Sequence, residues 1–284
     1  MMDRFLRFPE GRAKAFTMSY DDGVPEDRRF SDVITKYSLK CTFNLNNDFC
    51  RPNNYSHEEM EEIYFSRGHE VAVHGAGHRA NGNMSTVVGI KDVLDNRLEL
   101  EKKTGRIIKG MAYPDSGITR FSNNTTYQDV KRYLTDLGIS YARTLGGDND
   151  GFLLPADWHA WMPTAHHNNP KIMEYLDKFI NLDLSTKIYH AQRGPRLFYL
   201  WGHSYEFERN NNWELLDKIC EKISGNDDIW YATNIEIYNY VNAYNSLVLS
   251  ADETMIYNPT LIDIWLDIDG RVYKVASGET IKVE

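Results

Sequence analysis

Short apolar runs alternate with amphipathic stretches along most of this chain. Seven of the runs have the length and composition of buried strands, and the stretches between them place apolar residues at the three- and four-residue spacing of helices. This alternation is typical of a parallel sheet or barrel covered by helices. The strands are predicted at residues 15–20, 41–45, 69–74, 107–113, 139–143, 197–202 and 229–233, and the helices at 26–37, 57–66, 86–104, 125–137, 170–181 and 212–224.

The order of these elements favours an α/β barrel of about seven strand–helix units. A doubly wound sheet would carry a glycine-rich phosphate loop after the first strand, whereas this chain has "DDGVP" there, at residues 21–25. Residues 144–170 interrupt the alternation with a long irregular segment, and such segments are often functional. After residue 246 short β-like runs are joined by an Asp269-Gly270 turn. We therefore predict a barrel over residues 1–245 and a small β appendage, packed on the barrel, over residues 246–284.

Composition and charge restrict the partners of the protein. The formal net charge is −9 and Lys and Arg form no cluster, so we do not expect nucleic-acid binding. No run is apolar enough to span a membrane and the N-terminus lacks the apolar core of a signal peptide, so a cytoplasmic protein is expected. The three cysteines, Cys41, Cys50 and Cys220, do not have zinc-site spacing and are expected to be reduced. Nothing in the pattern indicates an oligomeric state.

Chemically reactive side chains stand at the carboxyl ends of the predicted strands. In α/β barrels the reacting groups collect at that end, so we expect them to face one mouth. They are Asp21 and Asp22 after the first strand, His74 and His78 after the third, "YPDSG" (113–117) after the fourth, Arg143 after the fifth and His203 after the sixth.

Two histidines and one carboxylate make a catalytic metal site with open positions for water and substrate. Asp22, His74 and His78 supply this set if residues 74–78 form one helical turn that brings the two rings together. We expect Zn²⁺, although imidazole and carboxylate also suit Co²⁺, Ni²⁺ and Fe²⁺. The alternative is that the histidines are ordinary surface or core residues and that Asp22 caps the following helix.

Asp21 and His203 are the candidates for proton transfer. Asp21 would stand next to a metal-bound water, whose pKa the cation lowers, and could take its proton as general base. His203 could protonate a leaving group, with a satisfied structural histidine as the equal alternative.

Four stretches of the chain resemble, in order and spacing, the motifs of the NodB-type polysaccharide deacetylases, carbohydrate esterase family 4. They are "SYDDG" (19–23), "HGAGH" (74–78), "MAYPDSG" (111–117) and "YLWGHSYEF" (199–207), and the resemblance covers about residues 12–245. It implies a distorted (β/α)7 barrel with a divalent metal, usually zinc, that removes acetyl groups from N- or O-acetylated sugars. Carried over by position, it makes Asp21 the catalytic base, His203 the catalytic acid, and Asp22, His74 and His78 the metal ligands.

The chain departs from this family's pattern at two positions. Gly75 stands where Ser or Thr usually follows the first histidine, so a hydrogen bond that normally stiffens that loop is expected to be missing. Ala112 stands where an arginine normally holds the catalytic aspartate. We predict that Arg143, at the end of the next strand, pairs with Asp21 instead and keeps it ionised.

Aromatic and turn residues near the mouth are candidates for contact with the substrate. Asp157-Trp158 best matches the family's fourth motif, and Trp158 and Trp161 could form an aromatic wall for a sugar face. The alternative is that "DWHAW" is a buried segment with both indoles in the core. A backbone N–H near Asp115 is expected to help stabilise an oxyanion. The predicted substrate contacts are Tyr113, Pro114, Asp115, Asp157, Trp158, Trp161 and Tyr205.

The residues and the resemblance together predict a metal-dependent deacetylase, a hydrolase of non-peptide C–N bonds, with an acetylated sugar or oligosaccharide as substrate. The lack of a signal sequence favours a soluble precursor over a cell-wall polymer. Two rival hypotheses are a cytoplasmic amidohydrolase acting on another non-peptide C–N bond and a non-catalytic carbohydrate-binding relative that has kept the barrel.

Overall fold

The computed structural model describes residues 3–47, 55–145, 149–184 and 193–283. Within these ranges the strands are β1 Arg4–Arg7, β2 Lys14–Asp22, β3 Thr42–Leu45, β4 Glu70–Val73, β5 Gly110–Ala112, β6 Tyr141–Arg143, β7 Ala165–His166, β8 Arg196–Gly202, β9 Ile229–Tyr231, β10 Val248–Leu249, β11 Met255–Tyr257, β12 Ile264–Ile268, β13 Arg271–Val275 and β14 Thr280–Lys282. The helices are α1 Glu26–Lys36, α2 His57–Ile63, α3 Thr86–Thr104, α4 Tyr127–Asp136, α5 Ile172–Ile180, α6 Tyr205–Arg209, α7 Trp213–Ile223 and α8 Asn234–Asn245.

A curled sheet of parallel strands forms the centre of the molecule. Seven of its strands follow the order β6-β5-β4-β3-β2-β8-β7, and each neighbouring pair is parallel. Trp161 also forms a parallel bridge to Arg143 of β6, just before the chain enters β7. The segment from 161 to 166 therefore pairs with both β6 and β8, and the predicted α/β fold, built on a distorted curl of seven strands, is confirmed.

The central strand β2 is buried along its whole length, and its side chains alternate between two environments. Alternate residues from Phe16 to Tyr20 pack in the apolar layer shared with the helices. Thr17 instead donates a hydrogen bond to Asn234 at the start of α8 (2.9 Å), and Ser19 accepts one from Asn44 of β3 (2.7 Å). The inner side of β2 is thus polar at Thr17 and Ser19, which lead to the charged side chains at its carboxyl end.

Two strands of the curled sheet differ from the sequence prediction. The strand predicted at 229–233 is β9, which pairs with residues 14–16 at the start of β2 rather than continuing the ordered path. The end of that path is β7, which comes from the 144–170 segment predicted to be irregular. Its paired part is two residues long, too short for a period-two pattern to be recognised in the sequence.

The six predicted helices are present on the outside of the sheet, and the structure adds α6 and α8. α6 is five residues long. α8 lacks a clean apolar stripe because it is buried on two sides, against β2 and against β12, with Ile237 and Tyr240 in the shared core. In the described part of the chain, no helix has the length and apolarity that a membrane span requires.

The C-terminal residues form two small antiparallel sheets. In one, β12 and β13 make a hairpin in which Asp269 and Gly270 have φ of 48° and 91°, as a type I′ turn requires. β1 pairs with β12 in the same sheet, although it belongs to the predicted barrel segment. The Tyr240 hydroxyl of α8 links this sheet to the barrel, because it donates to the carbonyl of Arg7 (2.8 Å) and accepts from the backbone N–H of Trp265 (3.0 Å). The division at residue 245 stays a prediction.

Cys41 and Cys220 are buried free thiols. Burial raises the pKa of both thiols, which keeps them protonated and unreactive. Cys50 lies outside the described residues.

Candidate metal centre

The adjacent carboxylates Asp21 and Asp22 end β2 and approach the same histidine. Side chains alternate along an extended strand, so neighbours normally diverge. Here Asp22 has φ of 85° and Gly23 has φ of 68°, which turns the chain sharply at the strand end. As a result His74 Nε2 lies 3.8 Å from Asp21 Oδ2 and 3.7 Å from Asp22 Oδ1, and both carboxylates are buried.

His78 completes a group of three metal-ligating side chains. Its Nε2 lies 3.2 Å from Asp22 Oδ1, and its ring centre is 4.9 Å from that of His74. One ligand atom from each of Asp22, His74 and His78 lies within 4.8 Å of the others. The expected helical turn over residues 74–78 is absent: left-handed φ values at Gly75 and His78 form a bend that brings the rings together instead.

The bend that carries His74 and His78 is fastened to α3 by Asp92. The Asp92 carboxylate accepts a hydrogen bond from the N–H of Gly77 (2.8 Å), and its backbone carbonyl accepts one from the N–H of Ala76 (3.2 Å). A Cβ added at Gly75 would lie 2.5 Å from Asp92 Oδ2. The glycine that replaces the usual hydroxyl residue therefore makes room for a carboxylate that stiffens the same loop.

The donor atoms of the group fit a divalent metal. His74 Nδ1 lies 2.9 Å from the carbonyl of Ala112, so with the proton on Nδ1 its Nε2 lone pair faces Asp22. Burial lowers the pKa of His74, which favours the neutral ring that a metal requires. Burial alone would raise the pKa of Asp22, but the hydrogen bond to His78 and the charges of the nearby histidines lower it to about 2, so the carboxylate is ionised.

Asp21 is held by two donors from neighbouring strands. The Arg143 guanidinium, at the end of β6, donates a hydrogen bond to Asp21 Oδ2, and Asn44 Nδ2 of β3 donates to Oδ1 (2.8 Å). Arg143 is fully buried, with its guanidinium carbon 4.5 Å from the ring centre of Trp201. The contact predicted between Arg143 and Asp21 is thus present, and it makes up for Ala112, which holds His74 through its carbonyl instead.

His203 follows β8 and faces Glu206, a residue that the sequence reasoning missed. Glu206 Oε2 lies 3.5 Å from His203 Nδ1 and accepts a hydrogen bond from the His203 N–H (3.4 Å). Burial would lower the pKa of His203, but the negative charges of Glu206, Asp21 and Asp22 raise it above the ordinary histidine value. The signal in the sequence is the three-residue spacing of "HSYE", which becomes visible once α6 is known to start there.

Trp161 does not contribute to an aromatic wall at the mouth. Trp161 is 1% exposed, and its ring packs edge-on against Tyr141 (5.4 Å) and Tyr199 (4.9 Å) inside the curl. Trp158 packs between Trp161 (4.9 Å) and Tyr238 of α8 (5.1 Å). The expectation of a sugar-stacking surface is therefore corrected for Trp161, because a ring so fully buried has no free face.

Asp157 and Tyr113, two further predicted substrate contacts, are occupied in structural roles. The Asp157 carboxylate accepts hydrogen bonds from the Tyr127 hydroxyl (2.7 Å) and Lys131 Nζ (2.7 Å), and caps the short helix that follows it. Tyr113 is 2% exposed and donates through its hydroxyl to the carbonyl of His159 (2.8 Å). We find no contact between these two side chains and the metal group among the described residues.

Pro114 and Tyr205 are the predicted substrate contacts that adjoin the site. Pro114 Cγ lies 3.5 Å from the position that a Cβ would take at Gly75. The Tyr205 ring centre lies 5.2 Å from that of His203. Asp115 follows Pro114 in an exposed turn with φ of 51°.

A family model described as "Polysaccharide deacetylase" matches residues 9–140 of the chain. The match includes the four strand-end residues Asp21, Asp22, His74 and His78, and it ends before Arg143 and His203. It confirms the family resemblance found in the motifs. No curated protein sequence matches the chain.

Solved structures of related proteins share the fold. A Mycobacterium smegmatis protein designated a polysaccharide deacetylase is 16% identical over 84% of this chain and 94% of its own, with a TM-score of 0.59. The chitin deacetylase of the fungal pathogen Colletotrichum lindemuthianum is 14% identical over 81% of this chain and 87% of its own, with a TM-score of 0.50. A mutant form of a Bacillus anthracis CE4 family pseudoenzyme, with restored enzymatic activity, is 14% identical over 82% of this chain and 70% of its own, with a TM-score of 0.50.

Proposed function

We propose that this chain, whose residues 9–140 match the polysaccharide deacetylase family model, is a metal-dependent hydrolase that removes acetyl groups from N- or O-acetylated saccharides. The observation that carries the proposal is the convergence of Asp22, His74 and His78 within 4.8 Å of one another, beside an Asp21 that takes no part in that group. A site with three ligands leaves positions open for water and substrate.

Asp22, His74 and His78 would hold the metal. Two imidazoles and one carboxylate suit Zn²⁺, which we expect, as well as Co²⁺, Ni²⁺ or Fe²⁺. A divalent cation bound there would polarise the acetyl carbonyl and lower the pKa of a water molecule.

The residues around the ligands provide the proton transfers in this proposal. Asp21, oriented by Arg143 and Asn44, takes the proton of the attacking water. His203, which directly follows β8, the strand that pairs with β2, gives a proton to the departing amine or alcohol. The backbone N–H of Asp115, in the turn that adjoins the ligand loop, is proposed to donate to the oxyanion.

Acetate release from a panel of N- and O-acetylated mono- and oligosaccharides tests the proposed function. We expect release by the wild-type protein, loss of release after dialysis against a chelator, and recovery when Zn²⁺ or Co²⁺ is added back. Cyclic ureides and simple acylated amides in the same panel test the rival amidohydrolase. A fully metal-loaded protein that binds sugars and releases no acetate would instead support the non-catalytic relative.

The Glu206→Gln variant is expected to shift the alkaline limb of the kcat–pH profile to lower pH. A general acid works in its protonated form, so kcat falls as pH rises through the pKa of His203. The Glu206 carboxylate raises that pKa, so its neutralisation lowers the pKa and the acid form is lost at a lower pH. The measurement is kcat at saturating substrate across neutral and alkaline pH.

Asp157→Asn is the matched control for Glu206→Gln. It removes the same charge from a carboxylate that is paired with Tyr127 and Lys131 rather than with His203. The alkaline limb should stay where the wild type has it. Equal shifts in the two variants, or none in Glu206→Gln, would refute the role given to Glu206.

A further inference from the structure

A second group of metal-ligating side chains lies beside His203. It consists of His166, which ends β7, His167, which follows it, and Glu206 of α6, and we call this group the cluster. His166 Nε2 lies 3.0 Å and His167 Nε2 lies 3.4 Å from the same Glu206 oxygen, Oε2. The three ligand atoms are within 4.8 Å of one another. The cluster shares no residue with the Asp22 group, and nothing in the proposed reaction uses its histidines.

His167 carries a nitrogen that is buried without a hydrogen-bond partner. Its side chain is fully buried, and Nε2, which lies 3.4 Å from Glu206 Oε2, has no hydrogen-bond partner among the described residues. Native structures rarely leave a buried polar atom in this state, and an unseen ion or water is a usual explanation. The orphaned nitrogen and the carboxylate oxygen together mark a point where a cation would be bound.

The ring of His167 is fixed in position by its neighbours. It stacks on Tyr20 (5.6 Å between centres, 2° between planes) and on Phe207 (4.2 Å), and Nδ1 lies 3.2 Å from the Tyr20 hydroxyl. A Cβ at Gly202 would lie 2.0 Å from His167 Nδ1, so the glycine at the end of β8 provides the space for this ring. With the proton on Nδ1 and donated to the Tyr20 hydroxyl, the lone pair of Nε2 is available to a metal ion, as in metal-binding histidines.

We propose that His166, His167 and Glu206 form a second binding site for a divalent transition-metal ion of the Zn²⁺ type. Two nitrogens and one carboxylate oxygen are the donor set that such borderline ions prefer over Mg²⁺ or Ca²⁺. Around a tetrahedral ion, ligand atoms about 2.1 Å from the metal are separated by about 3.4 Å. The two distances to Glu206 Oε2, 3.0 Å from His166 and 3.4 Å from His167, are close to this value, and the partial exposure of His166 leaves room for water.

The proton on His166 makes this the weaker of the two sites. His166 Nδ1 accepts a hydrogen bond from the N–H of Asn168 (3.1 Å), so the neutral ring carries its proton on Nε2 and donates to Glu206. An ion at Nε2 requires that proton to move to Nδ1, and the hydrogen bond to Asn168 is lost. We therefore expect the Asp22 site to fill first and the cluster second. Since the same Glu206 oxygen faces His203, the second ion would compete with His203 for this carboxylate.

Titration of the metal-free protein with Co²⁺ tests the inference. Bound Co²⁺ is counted by equilibrium dialysis, and its visible absorption reports the coordination. We expect two ions per wild-type chain, one in Asp22→Ala, one in His166→Gln and none in the double variant. His57→Gln is the control, because it removes an exposed histidine of α2 that belongs to neither group and lies against the carbonyl of Lys103, so two ions should stay bound.

A wild-type chain that binds one ion, or a His166→Gln variant that still binds two, would overturn the second site. If circular dichroism shows that His166→Gln does not fold, Glu206→Gln, which keeps the side-chain shape, decides the matter by the same count. The proposed deacetylase reaction has a separate readout: two bound ions without acetate release would refute the reaction alone, and one bound ion with acetate release would refute the second site alone.

Discussion

The Asp21→Asn variant is expected to lose about 10²- to 10⁴-fold in kcat while it still binds the metal ion, because general base catalysis contributes rate enhancements of this size. In the proposed reaction Asp21 takes the proton of the attacking water, and an amide cannot do so. Asparagine keeps the shape of the side chain and an oxygen that can accept the hydrogen bond from Arg143. Asp21 is outside the group of three ligands, so the loss should appear in turnover and not in metal content.

Asp22→Asn is the matched control for Asp21→Asn, with the same chemical change at the next residue. Asp22 Oδ1 lies 3.2 Å from His78 Nε2 and 3.7 Å from His74 Nε2, so loss of its charge should weaken metal binding. Metal content and acetate release are measured for both variants at the same added Zn²⁺. The division of roles is refuted if Asp21→Asn loses metal in proportion to activity, or if it turns over at nearly the wild-type rate.

His203→Gln should resemble Asp21→Asn, with its metal retained and its kcat reduced by a similar factor. Since the proposed base and acid act in one reaction, the double variant Asp21→Asn/His203→Gln should lose less than the product of the two single losses. Glutamine cannot deliver a proton, whatever the pH. The kcat–pH profile of His203→Gln should therefore lack the alkaline limb of the wild-type profile.

The sequence predicts which residues of the site lie together, because most of them directly follow strands of the sheet. Carboxyl ends of parallel strands meet at one edge of a sheet, so residues that follow apolar runs in β2, β4, β6 and β8 had to come together. This argument works without knowing any side-chain conformation. It is also why the contact between Arg143 and Asp21, across several strands, could be expected from the sequence.

What the strand ends do not determine is how the backbone turns after them. Asp21 and Asp22 approach the same histidine only because the backbone of Asp22 has a positive, left-handed φ. His78 reaches the group through a bend with left-handed φ values rather than through a helical turn. Aspartate and histidine tolerate this conformation better than most residues but do not demand it. A spacing of four residues between histidines is therefore compatible with either geometry, and only the structure distinguishes them.

The sequence also could not predict which helix residues hold the site residues in place. Asp92 is in α3 and Glu206 in the short α6, and each reaches the site through the register of its helix on the sheet. That register is a result of packing and has no local signal. Trp161 was wrongly predicted for a related reason. It lies in a long irregular segment whose composition suits a binding surface as well as a buried core, and the structure places its ring in the core.

The Arg143→Met variant is expected to destabilise the metal-free protein by roughly 3–5 kcal/mol, the usual cost of removing one member of a buried ion pair. The side chains of Arg143 and Asp21 are 1% and 3% exposed, so water cannot compensate the carboxylate that is left. Two other guanidinium nitrogens, Nε and Nη1, have no hydrogen-bond partner among the described residues, so the pairing with Asp21 is the main interaction lost. The free energy of unfolding is measured by urea denaturation after chelation.

The double variant Arg143→Met/Asp21→Asn separates this charge effect from a simple packing defect. With Asp21 neutral, no uncompensated charge remains in the curl, so the double variant should be more stable than Arg143→Met alone. Lys131→Met is the control, since its pair with Asp157 is about a third exposed and its loss should cost at most about 1 kcal/mol. If the double variant is as unstable as Arg143→Met, the arginine acts through packing and the charge of Asp21 is compensated by other groups. If stability is recovered, Arg143 acts by compensating the charge of the Asp21 carboxylate rather than by packing.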